Sequence, residues 1–302
     1  MKLAFILLAF IPFFSGYSQD SIASCIAYWK LGETKIYSIV HEKNTIDSVG
    51  KNSTFKFGYE AWVTVIDSAA KSYTIKWVFH LPKQATITPA LSDSLPVYNG
   101  MSMIFRITNL GGFIELLNWE EVRDSYIRMM ELSLPKKMDS TAAAILQSSK
   151  NLFHSKEMVE SALIQEIQLF QIPYGYKFSI VEATAKTEIP NPFGGDPFPA
   201  VQTFKLTELD PKKDEFTLAF DMRIDKGNLK GMIDSLVKKM NIKEGQEMQA
   251  AKEQIGSFDL HDFSEYHFIK SSGCIRRLYY KRTTVLAGAT RTDAYTITLK
   301  DQ

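Results

Sequence analysis

The chain has 302 residues, of which 45% are hydrophobic and 23% are charged. This is the composition of an ordinary globular protein and not that of a disordered or collagen-like chain. The formal charge is +1 at pH 7 and becomes 0 if residues 1–18, which contain Lys2, are removed. Positive and negative charges are thus nearly equal in number, which gives no reason to expect nucleic acid as a partner.

The N-terminus is typical of a secretory signal peptide covering residues 1–18. Lys2 gives a short positive start, and residues 3–14 form an unbroken apolar run. That run is shorter than the roughly 20 apolar residues that span a bilayer. Gly16 and Ser18 supply the small residues that precede a cleavage site. We therefore predict an exported protein, periplasmic or at the cell surface or extracellular, without a transmembrane segment in the mature chain. A buried N-terminal strand or helix is the alternative.

Two cysteines remain in the predicted mature chain, Cys25 and Cys274. In an oxidising compartment they could pair, and closing so long a loop would add on the order of 4–5 kcal/mol. Buried free thiols are an equal alternative, because sequence separation does not decide whether two cysteines meet. Lipidation is a third interpretation, since residues 22–25 have the form of a bacterial lipobox. However, Asp20 and other polar residues separate them from the apolar run, which is the wrong context for that motif.

Alternation of apolar and polar residues predicts antiparallel strands in the first half of the chain. One apolar face consists of Phe57, Tyr59, Ala61, Val63 and Val65. A turn at residues 67–72 leads to a matching face of Tyr73, Ile75, Trp77 and Phe79. The pattern returns at residues 101–107, and Gly111 and Gly112 turn the chain into another strand.

The period becomes helical at about residues 118–172, which predicts a helical insert. Asn118 is a suitable N-cap, and Glu121 completes a capping-box-like start. A later helix that ends before Pro173 carries one apolar stripe, formed by Val159, Leu163, Ile167 and Phe170.

Strands return after this insert, at residues 174–188, 215–224, 258–270, 274–286 and 291–299, with one more amphipathic helix at 229–240. We interpret residues 19–302 as a single α+β domain. Its core would be a curved antiparallel sheet, half-barrel-like, with several helices packed on the apolar face of the sheet.

Motifs for catalysis are absent from the sequence: it has no Gly-x-Ser-x-Gly, no phosphate-binding loop, no His-Glu-x-x-His and no Cys-x-x-Cys. No catalytic residue and no cofactor are therefore predicted. One cluster has metal-ligand chemistry, because His261, Glu265 and His267 would share one face of a strand at near-chelating spacing. A solvated polar strand face is the simpler interpretation.

The last predicted hairpin is locally basic, through Lys270, Arg276, Arg277, Lys281, Arg282 and Arg291. Such residues could meet a phosphate or an anionic polysaccharide. Exposed strands are also rich in lysine and arginine simply because charge prevents edge pairing, and this second interpretation is favoured.

A candidate ligand surface comes from aromatic and methionine side chains. Its predicted members are Tyr59, Trp77, Phe79, Met101, Met103 and Phe105. A curved sheet lined by these residues and covered by helices could hold an apolar small molecule or a lipid. The same side chains would equally fill an ordinary core.

Asp-Ser followed by an aliphatic residue or threonine occurs six times. The pattern resembles the O-glycosylation signal of exported Bacteroidetes proteins, and Ser48, Ser68 and Ser94 fall in predicted loops. Turn and helix-start chemistry explains the positions but not the residue after each serine.

Two stretches carry a resemblance to known proteins, residues 98–119 (Tyr98-Asn99-Gly100 through Gly111-Gly112-Phe113 to Trp119) and residues 272–297 (Ser272-Gly273-Cys274 through Ala294-Tyr295-Thr296-Ile297). There the chain resembles uncharacterised exported proteins of Bacteroidetes-type bacteria, which offer no known catalytic residues. In architecture it resembles the lipoprotein-carrier half-barrels, whose sheet wraps around helices and binds acyl chains.

The leading hypothesis is therefore a non-enzymatic envelope protein that binds an apolar or lipid-like ligand. A structural or interaction protein with a filled core is the alternative, and a metal-dependent hydrolase is the third hypothesis. Fold-level similarity alone does not transfer function.

Overall fold

A computed structural model of the protein describes residues 21–81, 95–134, 143, 146–148, 150–151, 153–189, 197–225 and 257–300. The predicted signal peptide, Ser94 and the predicted helix at 229–240 lie outside these residues. Within them, no helix is both long enough and apolar enough to cross a membrane.

The described chain forms thirteen strands and four helices. The strands are β1 (Ile22–Ser24), β2 (Thr34–Ile46), β3 (Asn52–Ala69), β4 (Ser72–His80), β5 (Ser102–Thr108), β6 (Phe113–Leu116), β7 (Lys177–Ser179), β8 (Ala183–Ile189), β9 (Phe198–Asp210), β10 (Glu215–Ile224), β11 (Asp259–Ile269), β12 (Cys274–Leu286) and β13 (Ala289–Leu299). The helices are α1 (Leu95–Tyr98), α2 (Trp119–Ser133), α3 (Lys156–Leu163) and α4 (Gln165–Gln171).

Eleven strands make one antiparallel sheet in the order β6-β5-β4-β3-β2-β13-β12-β11-β10-β9-β8, while β1 pairs with β7. The sheet is large, curved and unclosed. It consists of two meanders, β2 to β6 and β8 to β13, which join in the middle where β13 pairs with β2. The prediction of an antiparallel sheet with helices is confirmed at this level.

The face of the sheet that contacts α4 is called the inner face here, and the opposite face the outer face. Phe170 of α4 lies between Tyr37 of β2 and Trp77 of β4, with ring centroids 5.0 Å and 5.8 Å away. Ala61 on the intervening strand β3 is small, which leaves space for that ring. All four side chains are fully buried. Because side chains alternate along a strand, this contact fixes which residues of β2, β3 and β4 face inward.

The segment that follows β1 packs closely across one end of the sheet. The Cys25 amide donates to the Tyr176 carbonyl at 3.0 Å. Beneath this segment lies Gly273, which has a φ of +64° and whose carbonyl accepts from the Tyr174 hydroxyl at 2.9 Å. A Cβ on Gly273 would lie 1.7 Å from the Ile26 carbonyl oxygen, so only glycine fits this crossing.

Several predicted boundaries were wrong. The last predicted helix of the insert is two helices, α3 and α4, because Ile164 leaves helical geometry at φ −121° and ψ 32°. The predicted strand at 174–188 is two strands, β7 and β8, and β3 extends to Ala69, so the turn there is shorter than predicted. Helix α2 begins after Asn118 as predicted, but that side chain does not cap it. Its Oδ1 instead accepts from the Ile104 amide at 2.8 Å.

Candidate functional site

The six predicted ligand-lining residues lie together on β3, β4 and β5 and just before β5. Five of them, Tyr59, Trp77, Phe79, Met103 and Phe105, are at most 4% exposed, and Met101 packs against the same cluster. Protein side chains occupy the space that they face. Phe170 contacts Trp77, and Tyr98 of α1 contacts Tyr59 and Phe79 with centroid distances of 5.5 Å and 4.9 Å. This part of the inner face is therefore packed against helices α1 and α4.

The predicted metal-ligand residues share the outer face of β11, in the arrangement expected of a strand. Each histidine has a protein partner there. His261 Nε2 lies 2.7 Å from a carboxylate oxygen of Asp221, and His267 Nε2 lies 2.8 Å from Glu265 Oε1. Across the part of the chain that the structure describes, no group of three or more His, Cys, Asp or Glu side chains is placed to hold a metal ion.

Both cysteines are free and buried in the structure, without a bond between them. Burial raises the pKa of the Cys25 thiol well above its ordinary value. That thiol is therefore protonated and unreactive at neutral pH.

The glycosylation candidates differ in their setting. Ser48 lies in an exposed turn, whereas Ser68 lies in the exposed end of β3 and not in the predicted loop. Ser94 lies outside the described residues.

A row of charged side chains crosses the inner face, and no local sequence pattern predicts it. Asp262, Arg282, Asp293 and Lys43 lie opposite one another on β11, β12, β13 and β2 in turn. These four residues are called the polar band. Directly opposed residues on antiparallel strands point to the same face, so the alternating signs of the band bring opposite charges together.

The band also corrects the interpretation of the basic hairpin. Strands β12 and β13 lie in the middle of the sheet, between β11 and β2, so their arginines do not protect an edge. Arg282 instead makes two hydrogen bonds to Asp262, at 2.7 Å and 2.5 Å. Burial alone would lower the pKa of Arg282, but the Asp262 carboxylate outweighs burial and raises it. The positive charge of Arg282 and the negative charge of Asp262 therefore cancel each other.

The second carboxylate of the band is shared among three partners. Asp293 Oδ1 lies 2.6 Å from His41 Nε2, while Oδ2 lies 3.8 Å from Lys43 Nζ and 3.4 Å from Arg291 Nη2. Burial would raise the pKa of Asp293, but the His41 hydrogen bond and the nearby cations outweigh it, so this pKa is lowered. The His41 ring also stacks on Tyr295 at 4.1 Å. One negative charge thus faces two permanent positive charges.

Beyond Asp293, the inner face opens into a depression of about 390 Å³. It is lined by Lys43, Thr45, Ser53, Thr54, Phe55 and Arg291. The side chains of Lys43 and Arg291 are 39% and 58% exposed, so their charges reach solvent. The depression therefore combines two cationic groups and two inward-facing hydroxyls, those of Thr45 and Ser53, with one aromatic ring.

A buried carboxylic acid of α4 lies against the inner face of the sheet. Glu166 of α4 is 9% exposed, and its Oε1 accepts a hydrogen bond from the Tyr59 hydroxyl at 2.9 Å. Burial raises the pKa of Glu166, and the hydrogen bonds it accepts only partly offset that effect. Because Tyr59 is one of the predicted lining residues, this bond joins the packed core to the polar part of the inner face.

Glu166→Gln is expected to stabilise the protein at neutral pH. Because burial raises the folded-state pKa of Glu166, the wild-type protein has its full stability below the ordinary pKa of 4.5, where Glu166 is protonated. That stability is lost as the pH rises through the folded-state pKa, because the buried side chain then becomes charged. Glutamine keeps an acceptor for Tyr59 and removes the buried charge. We expect a gain of about 1–2 kcal/mol near neutral pH that disappears at about pH 4. Urea unfolding of both proteins at several pH values measures it, and a loss of stability at neutral pH would contradict it.

Comparison with known proteins gives no family and one weak structural similarity to report. No known protein family matches the chain, and no curated protein sequence matches it. Among solved structures, lipovitellin, in a structure concerned with its lipid–protein interactions, is similar with a TM-score of 0.42 and 9% identity. The match covers 90% of this chain and 25% of the lipovitellin chain, so this chain spans about a quarter of that protein's length. The resemblance to exported Bacteroidetes-type proteins stays a prediction.

Proposed function

We propose that this is an exported, non-enzymatic envelope protein that binds a lipid-like ligand without covalent attachment. The ligand would lie on the inner face, at the depression and the aromatic side chains next to it. The observation that carries the proposal is the half-buried state of Phe55 and Phe57. Both rings face inward on β3, opposite Lys43 and His41.

The physical argument rests on the contrast along β3. Towards one end of this strand the inner face is filled: Ala61 and Val63 are buried, and Phe170 of α4 packs against side chains of the strands on either side. Towards the other end, Phe55 and Phe57 keep apolar surface in reach of solvent, beside charged and hydroxyl groups. A surface that is apolar next to a few convergent polar groups is typical of small-molecule sites.

Export is part of the same proposal and rests on the apolar run at residues 3–14 followed by small residues. The fold supports cleavage near Ser18 over acylation at Cys25. Cys25 is fully buried, and the residues just before it form β1, which pairs with β7. Acylation would make Cys25 the N-terminus and would remove β1.

Binding of a fluorescent fatty-acid probe tests the proposal, with two variants of one strand. Phe55→Ala removes apolar surface from the inner face, and Trp62→Ala removes a 42% exposed ring from the outer face of β3. We expect Phe55→Ala to weaken binding about tenfold, because burying a phenyl ring contributes roughly 1.5–3 kcal/mol. Trp62→Ala should leave the affinity unchanged. The reverse pattern would place the probe on the wrong face and would refute the proposed site.

A structural or interaction protein with a filled core is the second candidate. The packing of Trp77 and Phe105, neither of which is exposed, favours it. The same titration separates the two functions, because a filled core predicts no saturable binding of the probe by the folded protein.

A further inference from the structure

We infer that the depression lined by Lys43 and Arg291 is a binding site for an anionic oxygen group, a phosphate or a carboxylate. This rests on the proposed function and specifies its ligand as an anionic amphiphile, with the charged head in the depression and the chain along Phe55 and Phe57.

The charges of the depression carry the inference. Lys43 and Arg291 share one carboxylate, Asp293, and that carboxylate also accepts a hydrogen bond from His41. The other carboxylate of the polar band, Asp262, is occupied by two hydrogen bonds from Arg282. The two cations of the depression therefore have one carboxylate between them, which leaves a surplus of positive charge.

The other lining groups complete the chemistry. Thr45 and Ser53 lie opposite each other on the inner face and place two hydroxyls at the depression, and hydroxyls donate readily to phosphate or carboxylate oxygens. Arg291 presents a planar fork of N–H groups that suits two oxygens at once. Phe55 forms the apolar side of the depression and lies directly opposite Lys43 across the strand pair. An anionic head joined to an apolar chain matches both sides.

The two cations of the depression share one face of the sheet and converge on one carboxylate, that of Asp293. Both lie on the inner face of central strands, where Thr45 is the direct partner of Arg291 and Phe55 that of Lys43. Lys56 on the outer face of β3 differs because it pairs with a carboxylate of its own, Glu42, and so leaves no surplus positive charge.

The test uses a double variant and a matched control. Lys43→Ala with Arg291→Ala removes both cations of the depression. The control, Lys56→Ala with Arg277→Ala, removes one lysine and one arginine from exposed positions on the outer face. Calorimetric titrations use three probes: a single-chain lipid phosphate, a neutral monoacylglycerol with the same chain, and inorganic phosphate.

We expect the lipid phosphate to bind more tightly than the monoacylglycerol, and the double variant to weaken it about ten- to a hundredfold. The control variant should change nothing, and added salt should weaken only the anionic probe. If both lipids bind equally and ignore the double variant, the anion site is wrong while the proposed function stands. If only inorganic phosphate binds and the double variant abolishes it, the site takes a free anion and the proposed function fails. If no probe binds, both fail.

Discussion

Replacing Trp77 with alanine is expected to lower the free energy of unfolding by about 3–5 kcal/mol. The indole ring is fully buried and meets Phe170 edge to face at 5.8 Å, so its removal leaves a cavity between β4 and α4. Chemical denaturation measures the change. Trp77→Phe is the matched control and should cost much less, since it keeps an aromatic ring and removes an indole N–H that has no partner among the described residues.

The result also decides between two states of this part of the inner face. In a ligand-lined cavity the loss would be small, because solvent or ligand already replaces protein contacts. A loss below about 1 kcal/mol would contradict the packed core described here. A full loss agrees with it and leaves the depression at Phe55 as the ligand surface.

Gly273→Ala is expected to cost about 3 kcal/mol or more and to loosen the N-terminal segment. Two effects add: alanine resists the positive φ of +64°, and its Cβ would come within 1.7 Å of a backbone oxygen of Ile26. Denaturation gives the free energy, and hydrogen exchange of the Cys25 amide reports on the segment.

Gly32→Ala is the control for the backbone effect. Gly32 also has a positive φ, +78°, but a Cβ there would meet nothing within 4 Å. It should cost only the roughly 1–2 kcal/mol of the left-handed conformation. Equal losses for the two alanine variants would contradict the close crossing of Ile26 over Gly273.

Strands with one apolar face could be predicted from the sequence. In β10, Phe216, Leu218 and Phe220 are buried and alternate with residues on the other face, which is the pattern that a half-buried strand produces. The predicted strands of the first half were found for the same reason, and α2 begins where Asn118 indicated.

Strand β2 could not be predicted in this way, although it joins the two meanders. Its inner face changes character along its length, from the buried Tyr37 and Ile39 to His41 and Lys43, so the alternation that indicates a strand disappears. Its pairing with β13 joins residues more than two hundred positions apart, and local sequence carries no signal for such a contact. The missing strand concealed the polar band.

The candidate site was therefore found only in part. The sequence shows that Arg282 and Arg291 are basic. Whether they protect a sheet edge or pair with carboxylates depends on where β12 and β13 lie in the sheet, and only the strand order decides that. Asp293 stands two residues after Arg291 in the sequence, which indicates only a local offset to that charge. Its role as the shared partner of Lys43 and Arg291 follows from register, which a one-residue slip would have reversed.

Native mass spectrometry of the protein purified from the envelope of its native host tests the central claim most directly. We expect a chain that begins at Gln19 and carries one non-covalent, anionic, lipid-sized adduct, which organic extraction removes. Bare polypeptide in every preparation would contradict lipid binding and indicate a filled core, and a bound metal ion in place of the lipid would contradict it and indicate an enzyme.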